Sequence, residues 1–221
     1  MIGVIIAGGG GGTRLDGQPK AFLKVAGKEL IYYSLDLFHN EVDEIVIVLP
    51  LADVKKWKPR IENGYKNVKV VSGGQHRQDS IRNGLKAFEK KNDIVFVHDV
   101  ARPFLTLELF KRIKEGAEKY GACIPYVGAC DTLKEVNNSF VGKTLDRDRI
   151  VQIQTPQAFK IEVLQKAYFE AYKDNFYGSD DSILVERIGI DVYMVEGERK
   201  NIKITYPVDL LFAETILKNE K

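Results

Sequence analysis

The stretch GVIIAGGGGGTRL, Gly3 to Leu15, frames the reading of the whole chain. Gly3–Ala7 is short and almost wholly apolar, the pattern of a strand buried on both faces of a parallel sheet. It runs into five consecutive glycines, Gly8–Gly12. Glycine loses more backbone freedom on folding than any other residue, so such a run marks a place where bare backbone is needed. Successive N–H groups with no Cβ in the way can wrap phosphate oxygens. Two cations follow, Arg14 and Lys20. The familiar fingerprints fit poorly. A G-x-G-x-x-G pattern begun at Gly8 ends on Thr13, and no Gly-Lys-Ser/Thr closes a Walker-type loop. The loop therefore reads as a phosphate cradle of another kind, completed by side-chain cations.

Outward from it the rhythm repeats. Glu44–Pro50, Val68–Gly74 and Asp93–Asp99 are further runs rich in Val and Ile. Helical patterns alternate with them at Lys28–Asn40, Arg77–Lys91 and Leu105–Gly121, the last with Thr106 as N-cap and Gly121 as C-cap. Strand alternating with helix predicts an α/β fold with a doubly wound, mostly parallel, Rossmann-like sheet. The rhythm breaks after Ala122–Val136. A turn signal at Asn137–Ser139 and two extended pieces within Phe140–Phe159 predict a protruding β-hairpin arm at about 129–153. Helices resume at Ile161–Lys173 and near Asp180–Ile188, a strand is expected at Val192–Glu196, and Pro207 opens a final helix through Leu217. Asn201–Thr205 reads as one more strand, carrying Lys203 between Ile202 and Ile204.

Composition narrows the class. The 221 residues are expected to form a single domain over 1–221, with 44% hydrophobic and 29% charged residues placing it among globular proteins. A net charge of +2 is too weak for a nucleic-acid coat. No apolar run approaches the ~20 residues of a membrane span, and the first lacks the basic flank of a signal peptide. Cys123 and Cys130 make no disulfide framework and read as small buried apolar residues. The expected setting is cytoplasmic, with no nucleic-acid or membrane partner.

In doubly wound sheets ligands bind beyond the carboxyl ends of the strands, so the loops there carry the candidates. Ser72–Ser80 (SGGQHRQDS) offers Gly73 and Gly74 for close backbone approach, with Asp79 and Ser80 as caps and Ser80 also as a partner for a base or sugar. Val97–Phe104 (VHDVARPF) offers Asp99, for a ribose hydroxyl or a metal, and Arg102. His98 has no histidine at ligand spacing and reads as structural. On the arm, Arg147 and, just after it, Thr155 suit a phosphate ester. Lys203, on a buried-sheet strand, would need an anionic partner.

In order along the chain, AGGGGGTRL…PKAFL, SGGQHRQDSI, HDVARPF, DTLKEV, TLDR, QTPQAF and NIKITYPVDL resemble the 2-C-methyl-D-erythritol 4-phosphate cytidylyltransferase family, over roughly Ile2 to Leu217. The resemblance implies a sheet of the nucleotide-diphospho-sugar transferase type, a homodimer formed through the arm, and Mg²⁺ as cofactor. It implies transfer of CMP from CTP to methylerythritol phosphate with release of pyrophosphate, in non-mevalonate isoprenoid synthesis. Ala7, Gly8, Gly9, Gly10 and Gly12 would hold the triphosphate. Gly74, Gln75 and Ser80 would surround the cytosine. Asp99 and Ala101 would lie near the ribose, with Asp99 close to the metal, and Arg102, also on the CTP side, would help shape that turn. Arg14, Lys20, Arg147 and Lys203 would be catalytic, and Thr132, Arg147, Thr155 and Lys203 would bind the second substrate. Thr132 and Arg147 would serve the partner's site. The resemblance leaves ribitol 5-phosphate cytidylyltransferase and a non-catalytic nucleotide-binding module of the same fold as rivals.

Overall fold

The computed structural model describes residues 1–9 and 19–219. Strand β1 (Ile2–Ala7) is followed by a small ribbon, β2 (Lys24–Val25) and β3 (Lys28–Glu29), and by helix α1 (Leu30–Phe38). Then come β4 (Glu44–Leu49), α2 (Leu51–Glu62), β5 (Val68–Ser72), α3 (Arg77–Ala87), β6 (Ile94–Asp99), α4 (Leu107–Tyr120) and β7 (Ala122–Gly128). A hairpin of β8 (Lys134–Asn137) and β9 (Phe140–Thr144) leads to β10 (Val151–Ile153), β11 (Gln157–Lys160), α5 (Ile161–Lys173), α6 (Ser182–Arg187), β12 (Tyr193–Glu196) and α7 (Pro207–Asn219).

The main sheet runs β10-β7-β11-β6-β1-β4-β5, with β12 also paired to β7. Strands β5, β4, β1 and β6 are mutually parallel. Antiparallel β11 enters between β6 and β7, and β12 returns parallel to β7. The alternation in the sequence explains why both faces are covered. Val4, Ile6, Ile45 and Ile47 pack beneath α1, α2 and α4, while Ile5, Val46, Val48, Val95 and Val97 pack against α3, α5 and α6. Successive side chains point to opposite faces, so a strand with two buried faces reads as a continuous apolar run. The chain leaves β1 toward β4 on one side and reaches β6 on the other. That divergence opens a crevice at the carboxyl ends of β1 and β6.

Local signals account for most boundaries. Thr106 caps α4 by accepting from the Leu109 amide at 3.1 Å, and Gly121 ends it at φ 90°. The turn between β8 and β9 places Asn138 and Ser139 at positive φ, as a tight two-residue hairpin turn requires. Helix α2 gives no clear signal in the sequence. Pro59 lies inside it and only Trp57 and Ile61 are buried, so its apolar stripe is thin. Trp57 holds it down by stacking on Phe22 at 3.9 Å.

Two expectations are corrected. Asn201–Thr205 joins no sheet ladder. It crosses as a strap tied to two loops: the Ile204 amide donates to Ala101 O at 2.8 Å, and the buried Asn201 side chain donates to Thr155 O at 3.1 Å. Cys130 is exposed, unlike Cys123, because it follows the end of β7, where Arg199 Nη1 donates to its Sγ at 2.8 Å. Among the described residues, no helix is long and apolar enough to cross a membrane.

Candidate active site

A cavity of about 460 Å³ opens at the carboxyl ends of β1 and β6. Ala7 and Gly9 line it from the first strand end, Gly74, Gln75 and Ser80 from the loop before α3, and Asp99 and Ala101 from the end of β6. Three cations enter it: Lys20, Arg77 and Lys203. Asp99 is its only carboxylate among the described residues. The cavity is therefore built for an anion, and one of appropriate size for a small-molecule substrate.

Asp99 is the electrostatic centre. Its side chain is 11% exposed and lies between Lys203 Nζ at 2.6 Å and Arg77 Nε at 3.3 Å. Burial alone would raise its carboxyl pKa. The neighbouring guanidinium and ammonium outweigh that and hold it well below the usual carboxylate range. Its amide donates to Thr155 Oγ1 at 3.0 Å, which fixes the strand end. His98, one residue before, is fully buried. Its Nε2 faces Arg102 O at 3.1 Å and its Nδ1 lies 3.4 Å from Thr155 Oγ1. A neutral ring protonated on Nε2 satisfies both neighbours, and burial pushes its pKa down to about 4. His98 is structural, as its lack of ligand partners suggests.

The loop before α3 is held by its own side chains. The Gly74 amide donates to Ser80 Oγ at 3.1 Å, and that hydroxyl donates to His76 O at 3.1 Å. Asp79 accepts from the His76 amide at 2.9 Å, completing a cap at the helix start. A Cβ on Gly74 would lie 2.3 Å from Asp79 Cβ, so glycine is required there. Lys20 is aimed by the strap: its Nζ donates to Ile204 O at 3.1 Å.

The geometry can be set against known proteins. The sequence model of the 2-C-methyl-D-erythritol 4-phosphate cytidylyltransferase family matches residues 1–219. A 2-C-methyl-D-erythritol 4-phosphate cytidylyltransferase of Syntrophus aciditrophicus is 41% identical over 227 aligned positions, spanning 100% of this chain and 97% of that one. The chain belongs to this cytidylyltransferase family. A counterpart of the same name from Clostridioides difficile is 42% identical, over 100% and 95% of the two chains. The crystal structure of the 2-C-methyl-D-erythritol 4-phosphate cytidylyltransferase from Thermus thermophilus superposes with a TM-score of 0.84 at 34% identity, covering 97% of this chain and 98% of that one. The 4-diphosphocytidyl-2C-methyl-D-erythritol synthase of Anaerococcus prevotii superposes at 0.87 with 33% identity, covering 98% and 96%.

Within this cytidylyltransferase framework, the structure gathers Ala7, Gly9, Lys20, Gly74, Gln75, Ser80, Asp99, Ala101 and Lys203 in one cavity. Gly8 is adjacent, but its amide donates to Val48 O at 2.8 Å and belongs to the fold. Gly10, Gly12 and Arg14 lie outside the described residues. Arg102 stands in the neighbouring cleft with Arg199, and Lys203 borders both clefts. The Arg102 Nη1 donates to Asn201 O at 2.8 Å, so this arginine ties the strap to the end of β6. Thr155 is buried and braces Asp99. Thr132 and Arg147 are exposed on the excursion between β7 and β10 and do not line the cavity.

Sequence reasoning missed Arg77. It is the first residue of α3, where the helix dipole disfavours a cation. That misfit was the available signal: a cation at a helix N-terminus needs carboxylates nearby. The partners are Asp99 and Asp181, the latter at 2.7 Å from Nη1.

Proposed function

We propose that this protein transfers the cytidylyl group of CTP to 2-C-methyl-D-erythritol 4-phosphate and releases pyrophosphate. The observation that carries the reading is the cavity's charge: among the described residues, Lys20, Arg77 and Lys203 enter it with one carboxylate, Asp99, at the carboxyl ends of β1 and β6. In the reaction a phosphate oxygen of the alcohol phosphate forms a bond to the α-phosphorus as the bond to pyrophosphate breaks. The nucleophile is already an anion, so no strong general base is needed. The barrier is repulsion between anions and charge gathering on the phosphoryl oxygens, which positioned cations lower directly. Lys20 and Lys203 supply that charge, with Arg14 assigned the same role. Gly74, Gln75 and Ser80 enclose the cytosine, Asp99 and Ala101 flank the ribose with Arg102 shaping their turn, and the glycine run with Ala7 holds the triphosphate.

Among the described residues the cavity holds one carboxylate, and a carboxylate combined with triphosphate oxygens is the donor set that Mg²⁺ favours, so the residues present fit that ion, with Asp99 as its protein ligand. Bound there, Mg²⁺ would neutralise triphosphate charge and draw electron density from the reacting phosphorus.

The second substrate's phosphate is assigned to Lys203, Thr155, Thr132 and Arg147. The last two act from a partner subunit, with the arm at about 129–153 as the dimer contact. Support for that comes from the hairpin itself, where Val136, Phe140 and Val141 are 82%, 79% and 66% exposed. Apolar side chains grouped on so thin an element favour a covering surface. The setting of the reaction is assigned to the cytoplasm.

The test is pyrophosphate release with each nucleoside triphosphate crossed against 2-C-methyl-D-erythritol 4-phosphate and ribitol 5-phosphate. The expected result is a high kcat/KM for CTP with methylerythritol phosphate alone. Preference for ribitol 5-phosphate, or no release with CTP, would overturn the assignment.

A further inference from the structure

Arg77 makes two ion pairs in opposite directions, and only one of them belongs to the cavity. Its Nε faces Asp99 Oδ1 at 3.3 Å, and its Nη1 faces Asp181 Oδ2 at 2.7 Å. Asp181 lies just ahead of α6, far along the chain, with a side chain only 1% exposed. It does not line the cavity. It is nonetheless tightly held. Tyr168, on α5, donates its hydroxyl to Asp181 Oδ1 at 2.6 Å. The amides of Asp181 and Ser182 both donate to Gln157 Oε1 at 3.2 Å, and Gln157 Nε2 donates to Asp180 Oδ2 at 2.7 Å. Gln157 is the first residue of β11, which runs beside β6.

The two cations on Asp99 thus differ in kind. Lys203 is a point charge on a flexible stem, 46% exposed at its side chain. Arg77 is a planar fork whose other arm is anchored to a buried, fully engaged carboxylate. A fork with one arm fixed can orient what the other arm holds. Asp181 also takes up part of the guanidinium charge. Without that anchor, the guanidinium is free to swing toward a bound triphosphate and leave Asp99 oriented by the half-exposed lysine alone.

We propose that Asp181 is a positioning residue for the transfer reaction: through Arg77 it fixes the orientation of Asp99 in the cavity. The inference rests on the assignment of Asp99 to the reaction centre. It adds a residue outside the cavity and a line of action running from α6 through the start of α3 to the end of β6. The consequence is that nucleotide binding and turnover respond to changes at a site the substrates never touch.

The experiment is a double-mutant cycle on Arg77→Ala and Asp181→Asn. Steady-state pyrophosphate release gives kcat and KM for CTP, and thermal unfolding of the same preparations reports folding. Asp181→Asn is expected to lower kcat/KM about 10- to 100-fold, the scale of a misplaced reacting group, with kcat falling more than KM rises. The double variant is expected to cost no more than Arg77→Ala alone, because the two residues act as one unit. Unchanged kcat/KM in folded Asp181→Asn, whether or not its unfolding midpoint drops, would overturn the proposal, as would fully additive losses. If Asp181→Asn does not fold, Tyr168→Phe decides: it keeps both charges and removes one hydrogen bond to Asp181. A loss in kcat/KM of about fivefold is then expected, and an unchanged value overturns the proposal. Wild-type protein that releases no pyrophosphate from CTP would refute the reaction itself; active wild type with unaffected variants would refute only this inference.

Discussion

Two buried carboxylates sit at opposite ends of the same sheet, and they are satisfied in different ways. Glu44 opens β4 at 6% exposure, and Asp99 closes β6 at 8%. Glu44 is held by neutral donors: the amides of Glu89 and Lys90 at 2.7 and 3.1 Å, and Asn92 Nδ2 at 3.1 Å. Those donors are backbone or short side chain, and they tie the end of α3 to the start of a strand. Asp99 is held by two long cationic side chains that also border a cavity. A carboxylate bound by backbone amides is a fastener. One bound by cations beside open space is a charge arrangement that a ligand can enter. The difference teaches that burial alone does not mark function, whereas the nature of the partners does.

The largest expected effect is at the cavity end. Lys20→Ala should lower kcat about 100- to 1000-fold, the cost of losing one positioned group that stabilises developing charge, with its unfolding midpoint near wild type. A near-normal kcat would remove Lys20 from the reaction and erase the contrast between the two ends.

Next in size is the response to acid. His98 is neutral in the fold, with a pKa lowered to about 4 from the ordinary 6.5. Its contribution to stability is complete above pH 6.5 and is lost as pH falls from there through about 4. The loss reaches about 3 kcal/mol by pH 4. Asp99, whose pKa is also lowered, withdraws its contribution only below its ordinary value of 3.8. Urea unfolding across this range should show the slope, and His98→Asn should flatten it between pH 6.5 and 4. A slope that persists in that variant would place the acid sensitivity elsewhere.

At the fastener end, Glu44→Ala should cost about 2 kcal/mol of stability by orphaning buried donors, while kcat stays within about twofold of wild type. A loss of turnover larger than the loss of folded protein would show that the two ends are not separable. The smallest effect is expected of Gly9→Ala. Among the described residues its added Cβ would meet only Ser80 Oγ, at 3.6 Å. Stability should change by no more than about 0.5 kcal/mol, so a marked fall in CTP affinity would show that the nucleotide approaches the backbone at that point.

Much of this was legible in the sequence because the signals were local. Val and Ile runs named the parallel strands, and the loops after them named the cavity wall from Ala7 to Ala101. What stayed hidden depended on pairing between distant segments. The strap at Asn201–Thr205 has a strand's composition, but its amides find loop carbonyls and the Asp209 carboxylate rather than a neighbouring strand. Helix α2 was masked by Pro59 and a thin apolar stripe. Arg77 was read only as the start of a helix, and Asp181 only as part of the helix near Asp180–Ile188, because their meaning lies in each other across 104 positions. Cys130 was read as buried because free cysteines usually are, and a loop position overrode that tendency.

The Lys203–Asp99 pair has a consequence for selectivity. In the free protein the lysine already has a counter-ion, supplied by the chain itself at 2.6 Å. An incoming anion therefore does not meet a bare ammonium; it enters an ion exchange in which it must compete with a carboxylate fixed in place. A monoanion brings no more charge than the group it would displace, and it must also give up its own water. A triphosphate brings several charges on one framework and can engage Lys20, Arg77 and Lys203 together. On the proposed function, the internal counter-ion is expected to act as a threshold that favours polyanions over chloride, acetate and other simple anions.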